Sequence, residues 1–172
     1  ILYMIYFVMT VIETILLMVA GLSLYDALIH ALGTAGTGGF SNMNRSVASF
    51  NNPAVEWIIT IFMLLFGVNF ALYFQMFKGD FKSVFKSEEL RYYILMIVVS
   101  IVLITINILD FNGGNIGLSI RDSSFQVASV ITTTGYATTD FNLWPTFSKI
   151  ILTLLMFAGA MAGATGGGIK TV

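Results

Sequence analysis

Apolar residues dominate four long stretches of the chain, 1–22, 54–77, 92–109 and 145–171, with polar and turn-forming residues between them. A helix needs about 20 predominantly apolar residues to cross the hydrocarbon of a bilayer, so each stretch predicts a span, the last one interrupted near its end. Two shorter apolar pieces, 25–32 and 125–131, sit between the first and second spans and between the third and fourth. They are too short to cross, and the pattern predicts re-entrant helices that dip in and return. Ser23 stands three residues before Asp26 and Ser123 three before Gln126, spacings that can cap the free amides of a first helical turn.

Each short helix is followed by backbone unsuited to helix or strand: TAGTGGF at 34–40 and TTTGYAT at 132–138. A shift of 97 residues sets Leu28 on Phe125, Ala31 on Ala128, Thr37 on Thr134 and Gly38 on Gly135. After the loops a shift of 92 sets Pro53 on Pro145 and Gly67 on Gly159. The chain therefore reads as two copies of one unit (helix, re-entrant helix, soft loop, helix), and units of the same topology are parallel repeats about an axis along the membrane normal. The expected division is a first repeat at 1–77, a linker at 78–91, and a second repeat at 92–172 whose last helix is broken. The fold class expected is an all-α membrane protein, half of a four-repeat pore. The chain opens without an initiator methionine and stops within an apolar stretch, and is expected to be a piece of a longer protein.

Composition strengthens the membrane reading. Of the 172 residues 57% are hydrophobic and 10% charged, against about 25% charged in a typical soluble domain. Net charge is −1, so no basic face invites nucleic acid, and the absence of cysteine excludes disulfides, thiolate nucleophiles and sulfur-ligated metals. Four of the eight Lys and Arg residues fall in KGDFKSVFKSEELR, 78–91, which places that linker on the cytoplasmic side. The soft loops then open outward among Asp26, Asp110, Asp122 and Asp140, opposed by Arg45 and Arg121: a mildly acidic mouth suited to cations.

Non-helical backbone at membrane depth is tolerated only where protein buries it or water lines it. Glycine gives access to positive φ, so the carbonyls of Gly36-Thr37-Gly38-Gly39 can face one axis. Carbonyl rings of this kind replace a cation's hydration shell, and Thr-x-Gly-Tyr loops after a short pore helix build potassium filters; the second loop reads Thr133-Thr134-Gly135-Tyr136. The run Gly166-Gly167-Gly168 should unwind the fourth span, either as a flexible occluding loop or within close helix packing through Gly159 and Gly163. Lone His30 has no metal-ligand partner and suits a pore-helix hydrogen bond. Glu13 and Asn69 suit interhelical hydrogen bonds. Trp57 and Trp144 suit interfacial anchors.

The segments HALGTAGTGGFS, FMLLFGVNFALYF, TTTGYATTDFNLWP and AGATGGGIKT together resemble the Trk, Ktr and HKT superfamily of potassium transporters, most closely the bacterial TrkH type. The resemblance implies four helix, pore loop, helix repeats around one pore, of which this chain would hold the second and third. It implies a potassium ion as the species carried, with a filter at Thr37, Gly38, Gly39, Thr134, Gly135 and Tyr136, the key glycines being Gly38 and Gly135. It implies a gate at Ala162-Gly163-Ala164-Thr165-Gly166-Gly167-Gly168. The Ktr type typically carries a proline where this chain has Met161-Ala162, which favours TrkH. Implied partners are the remaining repeats, a second copy in a homodimer, the lipid bilayer, and a cytosolic nucleotide-binding regulatory subunit of the TrkA type. The implied location is the plasma membrane of a bacterium or archaeon, the inner membrane if Gram-negative. A sodium or sodium-coupled transporter of the same superfamily and a carrier with broken helices are the alternatives. An intramembrane enzyme is disfavoured by one His, no Cys and no acid pair beside a nucleophile.

Overall fold

The computed structural model describes residues 2–169, so Ile1 and the expected end of the fourth span at Lys170 and Thr171 lie outside it. Eight α-helices and no strand occur among the described residues: α1 (Leu2–Val19), α2 (Leu24–Ala35), α3 (Pro53–Phe66), α4 (Phe70–Phe77), α5 (Phe81–Lys86), α6 (Glu88–Ile108), α7 (Ile116–Ile131) and α8 (Thr146–Ala158). Helices α1 and α6 are long and apolar enough to cross a membrane alone. The expected second span is not one helix: α3 and α4 meet at 88° across a break of a few residues, and qualify only as a bent pair. The expected fourth span also stops early, since α8 ends at Ala158 and the chain from Gly159 is irregular.

Two helices start where side chains can cap them. Ser23 Oγ accepts the Asp26 amide at 3.1 Å and opens α2 as expected. Ser123 does not cap: α7 begins at Ile116, its first turn held by Asn115 Oδ1 on the Leu118 amide, and Ser123 bonds Thr105 of α6 at 2.6 Å. The apolar run at 125–131 is only the last half of a helix whose first half mixes Ile116, Leu118 and Ile120 with polar residues, so no apolar run marks its start. At 12 and 16 residues, α2 and α7 are about 18 and 24 Å long, short of the ~30 Å hydrocarbon core. The linker is not a plain loop either. It carries α5 and the first turn of α6, and Ser87 ends the one helix while capping the other.

Helix α7 is the centre of the bundle, buried on every side from Asp122 to Ile131. Its Phe125 and Ala128 pack with Val55, Ile59 and Met63 of α3, which joins the two units. On its other side Val127, Val130 and Ile131 join a core with Ile104 and Ile108 of α6 and Leu152 of α8. Trp144 belongs to that core at 2% exposure, so it is no interfacial anchor, whereas Trp57 is exposed. By contrast α2 is covered on one side only, leaving Leu24, Tyr25, Leu28 and Leu32 bare.

The break after α3 survives because each freed carbonyl finds a donor. A helix end strands its last carbonyls, and lipid offers them nothing. Here Tyr93 Oη donates to Leu64 O at 3.2 Å, Tyr73 Oη to Leu65 O at 2.7 Å, Thr165 Oγ1 to Phe66 O at 3.3 Å, and the Met161 amide to Gly67 O at 3.2 Å. Asn69 therefore does local work, capping α4 through the Ala71 amide rather than bonding between helices. The interhelical hydrogen bond expected for Glu13 is not formed: among the described residues neither buried carboxylate oxygen has a hydrogen-bond partner. A methyl group at Gly67 would strike Tyr93 Oη and approach Thr132 Cγ2 at 2.9 Å. Gly67→Ala should therefore lower stability by about 1–3 kcal/mol through overpacking, measured as thermal unfolding in detergent; unchanged melting would contradict this account of the break.

Candidate functional site

The two soft loops lie side by side, and their backbones match atom for atom at a shift of 96 residues. In the first, Gly36 N–H returns to Leu32 O, Thr37 N–H to Thr34 O, and the amides of Gly38 and Gly39 both to Gly33 O. In the second, Thr132 N–H returns to Ala128 O, Thr133 N–H to Val130 O, and Thr134 and Gly135 both to Ser129 O. The left-handed positions agree: Thr37 (φ 48°) with Thr133 (φ 55°), and Gly39 (φ 64°) with Gly135 (φ 87°). The shift of 97 expected from sequence is thus one residue out. Thr37 corresponds to Thr133, Gly38 to Thr134, Gly39 to Gly135 and Phe40 to Tyr136. The doubled glycine in the first loop hid the register, because either glycine aligns with the single glycine of the second.

Both loops spend their amides on the pore helix behind them, and the carbonyls are left over. Among the described residues, no hydrogen bond reaches the carbonyl oxygens of Thr37, Gly38 and Gly39, or of Thr133, Thr134 and Gly135. The result is a surface of acceptors without donors, placed at the C-terminal, partially negative ends of α2 and α7. No cluster of three or more His, Asp or Glu that could hold a metal ion occurs among the described residues.

Contacts between the loops are equally direct. A methyl group at Gly39 would collide with Thr134 O, whereas one at Gly135 would meet open space. Buried Tyr136 reaches across to the first unit, its hydroxyl lying 3.1 Å from Phe40 O and 3.2 Å from His30 O. His30 stacks on the Tyr136 ring at 5.6 Å and spans from Asp26 O (Nδ1, 2.7 Å) to Ser41 Oγ (Nε2, 2.9 Å). The pore-helix hydrogen bond expected for His30 is present, and it braces the loop's exit.

The glycine segment that follows α8 packs against both loops. Thr37 Oγ1 donates to Thr165 O at 3.2 Å, and Gly167 N–H donates to Thr133 Oγ1 at 2.8 Å. A side chain at Gly166 would hit Ala160 and crowd Thr132 O, and one at Gly168 would crowd the backbone of Gly159. Helix α8 breaks at Gly159 (φ 71°), seven residues before the triple glycine, so Gly159 and Gly163 are not a helical packing pair. The segment is held at its other edge by Phe70 N–H on Gly163 O at 3.3 Å and by Glu89 Oε1 on the Ala162 amide at 2.6 Å. Thr165 stands within the expected gate run and Thr133 within the expected second loop, whereas Glu89 escaped notice in the sequence because it lies 73 residues from its partner.

A charged cluster lies towards the N-terminal parts of the short helices, Asp26 in the first turn of α2 and Asp122 within α7. Asp26, with Asn42 and Ser23 donating to its carboxylate, is held below the usual carboxylate range. Asp122, its counterpart at the shift of 96, is raised by burial, against the pull of Asn112 and Arg121. Arg121 Nε stands 2.9 Å from Glu56 Oε2 as an ion pair, and these groups edge an open cleft of about 720 Å³ with Arg45. Glu56, on the first turn of α3, joins the expected acidic mouth from a stretch that reads as span.

Two long apolar helices, with paired short helices that end in irregular loops, define an all-α fold of membrane type. The chain belongs to the TrkH family: the family model described as "TrkH: Cation transport protein" matches residues 1–172. It is 34% identical over 173 residues to the Trk system potassium uptake protein TrkH of Escherichia coli K12, and 30% identical over 172 residues to that of Halomonas elongata. Each match covers 99% of this chain and 36% of the relative, so the chain spans about a third of the length of these curated relatives. The crystal structure of the potassium transporter TrkH from Vibrio parahaemolyticus superimposes with a TM-score of 0.92 at 31% identity, covering 98% of this chain and 37% of that one.

Tyr136→Phe removes the hydroxyl between the loops and should lower stability by about 0.5–1.5 kcal/mol, read from thermal unfolding in detergent. For Asp122 the sign is set by its raised pKa: burial disfavours the charged form at neutral pH, and the penalty fades as pH falls through the raised pKa. Asp122→Asn should therefore gain most over the parent in melting temperature near pH 7 and converge on it in acid; a gap that widens in acid would reverse the assignment.

Proposed function

We propose that the protein this chain belongs to takes up potassium across the plasma membrane, and that the two loops form two quarters of its selectivity filter. The observation that carries this reading is the one-sidedness of the loops, whose amides turn back into the pore helices while six carbonyls stay free. Rings of such oxygens replace the water shell of a potassium ion. The printed names of the E. coli and Halomonas relatives, potassium uptake proteins, point the same way.

In this reading potassium loses water at the rim of Asp26, Asp122 and Glu56, then passes the carbonyls of Thr37, Gly38, Gly39, Thr133, Thr134 and Gly135. The filter glycines are taken as Gly39 and Gly135, the pair that shares a conformation, with Gly38 as Thr134's counterpart. Tyr136 serves as the strut between loops, not as a ligand. Below the filter, Ala162 to Gly168 act as the gate, supported by the bonds from Thr37 and Thr133 that hold this segment beneath both loops. Residues 1–77 and 92–172 are taken as the two repeats, and 78–91 as a cytoplasmic linker available to a TrkA-type nucleotide-binding subunit. The bare Leu24, Tyr25, Leu28 and Leu32 of α2 suit cover by a further repeat, as α3 covers α7. A homodimer in a bacterial or archaeal plasma membrane completes the proposal.

Gly135→Ser, made in the full-length protein, tests it. Space exists for the side chain but φ is 87°, so the change should reshape the free carbonyls and bring the potassium-to-sodium flux ratio in liposomes towards unity. An unchanged ratio would remove the second loop from the filter.

A further inference from the structure

The glycine segment is held mostly by neutral groups from within the bundle: Gly67 O, Phe70 N–H, and the hydroxyls of Thr37 and Thr133. One contact differs in kind. Glu89, the second residue of α6, accepts the Ala162 amide on Oε1 at 2.6 Å. Hydrogen bonds to an ionised acceptor are shorter and roughly twice as strong as neutral ones. The Ala162 amide falls just past the end of α8, where no helical carbonyl reaches it, and the carboxylate is its partner.

The position of Glu89 matters as much as its charge. It lies two residues after Ser87, which closes α5 through its amide on Val84 O and opens α6 by accepting the Leu90 amide. One residue thus caps two helices, and α5 cannot tilt without turning the first residues of α6. Helix α5 is largely exposed, with only Val84 buried, and carries Lys82 and Lys86. A push or pull on this basic, accessible helix reaches the glycine segment through a single side chain.

We propose that Glu89 is a positioning residue, a latch by which the segment 78–91 holds the glycine loop in place, and whose withdrawal frees that loop. This rests on the loop's proposed role as a gate. Displacing α5 draws the carboxylate from Ala162, leaving that amide free and the loop secured only by its neutral bonds.

The test uses the full-length protein in liposomes with a rubidium tracer and no cytosolic partner. Glu89→Ala should raise basal flux about tenfold, the effect of losing one charge-assisted bond from the closed state. Glu89→Gln keeps a neutral oxygen acceptor, roughly half as strong, and should raise flux only about threefold. The potassium-to-sodium ratio should not change in either, whereas general loosening of the fold would degrade it. Should Glu89→Ala fold poorly, a double variant Glu89→Cys and Ala162→Cys, bridged by a short thiol-specific cross-linker, should suppress flux reversibly on reduction. Flux indifferent to the bridge overturns the latch, as does a Glu89→Ala protein with parental flux. Deleting Gly166, Gly167 and Gly168 separates the two ideas. If the deletion raises flux and Glu89→Ala does not, the latch fails and the gate stands. If the deletion leaves flux unchanged, the gate reading falls and the latch with it.

Discussion

A peptide group that leaves a helix inside hydrocarbon has no water to turn to, and both loops of this protein meet that constraint in one way. Each folds its amides back onto the last turn of the short helix that precedes it, with two consecutive N–H groups sharing one carbonyl, Gly33 in the first loop and Ser129 in the second. Satisfying donors in this manner uses helical carbonyls that the helix end had stranded. It leaves the loop carbonyls without hydrogen-bond donors among the described residues, Thr134 O lying against Gly39 of the other loop.

The breaks at Gly67 and Gly159 obey the same accounting. They occupy equivalent places in the two units, and their exposed backbones bond each other: Met161 N–H to Gly67 O and Phe70 N–H to Gly163 O, while Ala160 N–H closes the second break on itself through Gly167 O. The glycine segment is held between the two loops and the bend of α3 and α4, within hydrogen-bond reach of all three.

Much of this was legible in residue order. Period and length gave α1 and α6, the Ser23 cap, the two soft loops and the recurrence of the unit, because each rests on local chemistry. What failed depended on partners distant in sequence. Residues 54–77 are predominantly apolar, and the 88° bend within them is stabilised by Tyr93, Thr165 and Met161. The start of α7 lay hidden because its first turns mix polar residues with Ile116, Leu118 and Ile120 and remain mostly uncovered. The register of the loops, off by one, needed the hydrogen bonds themselves, since Gly38 and Gly39 are chemically alike and conformationally different. Glu89 and Glu56 read as surface and span charges until the fold set Ala162 and Arg121 beside them.

The tie between loops is not repeated. Tyr136 has a hydroxyl to reach Phe40 O, but its counterpart in the first loop is Phe40 itself, which is 77% exposed and has no donor to extend to any neighbour. Duplication copied the ring and not the oxygen. The two loops are consequently stitched by a hydroxyl on the Tyr136 side and have no matching tie on the Phe40 side, so thermal motion should part the backbone at Phe40 before it does so at Tyr136.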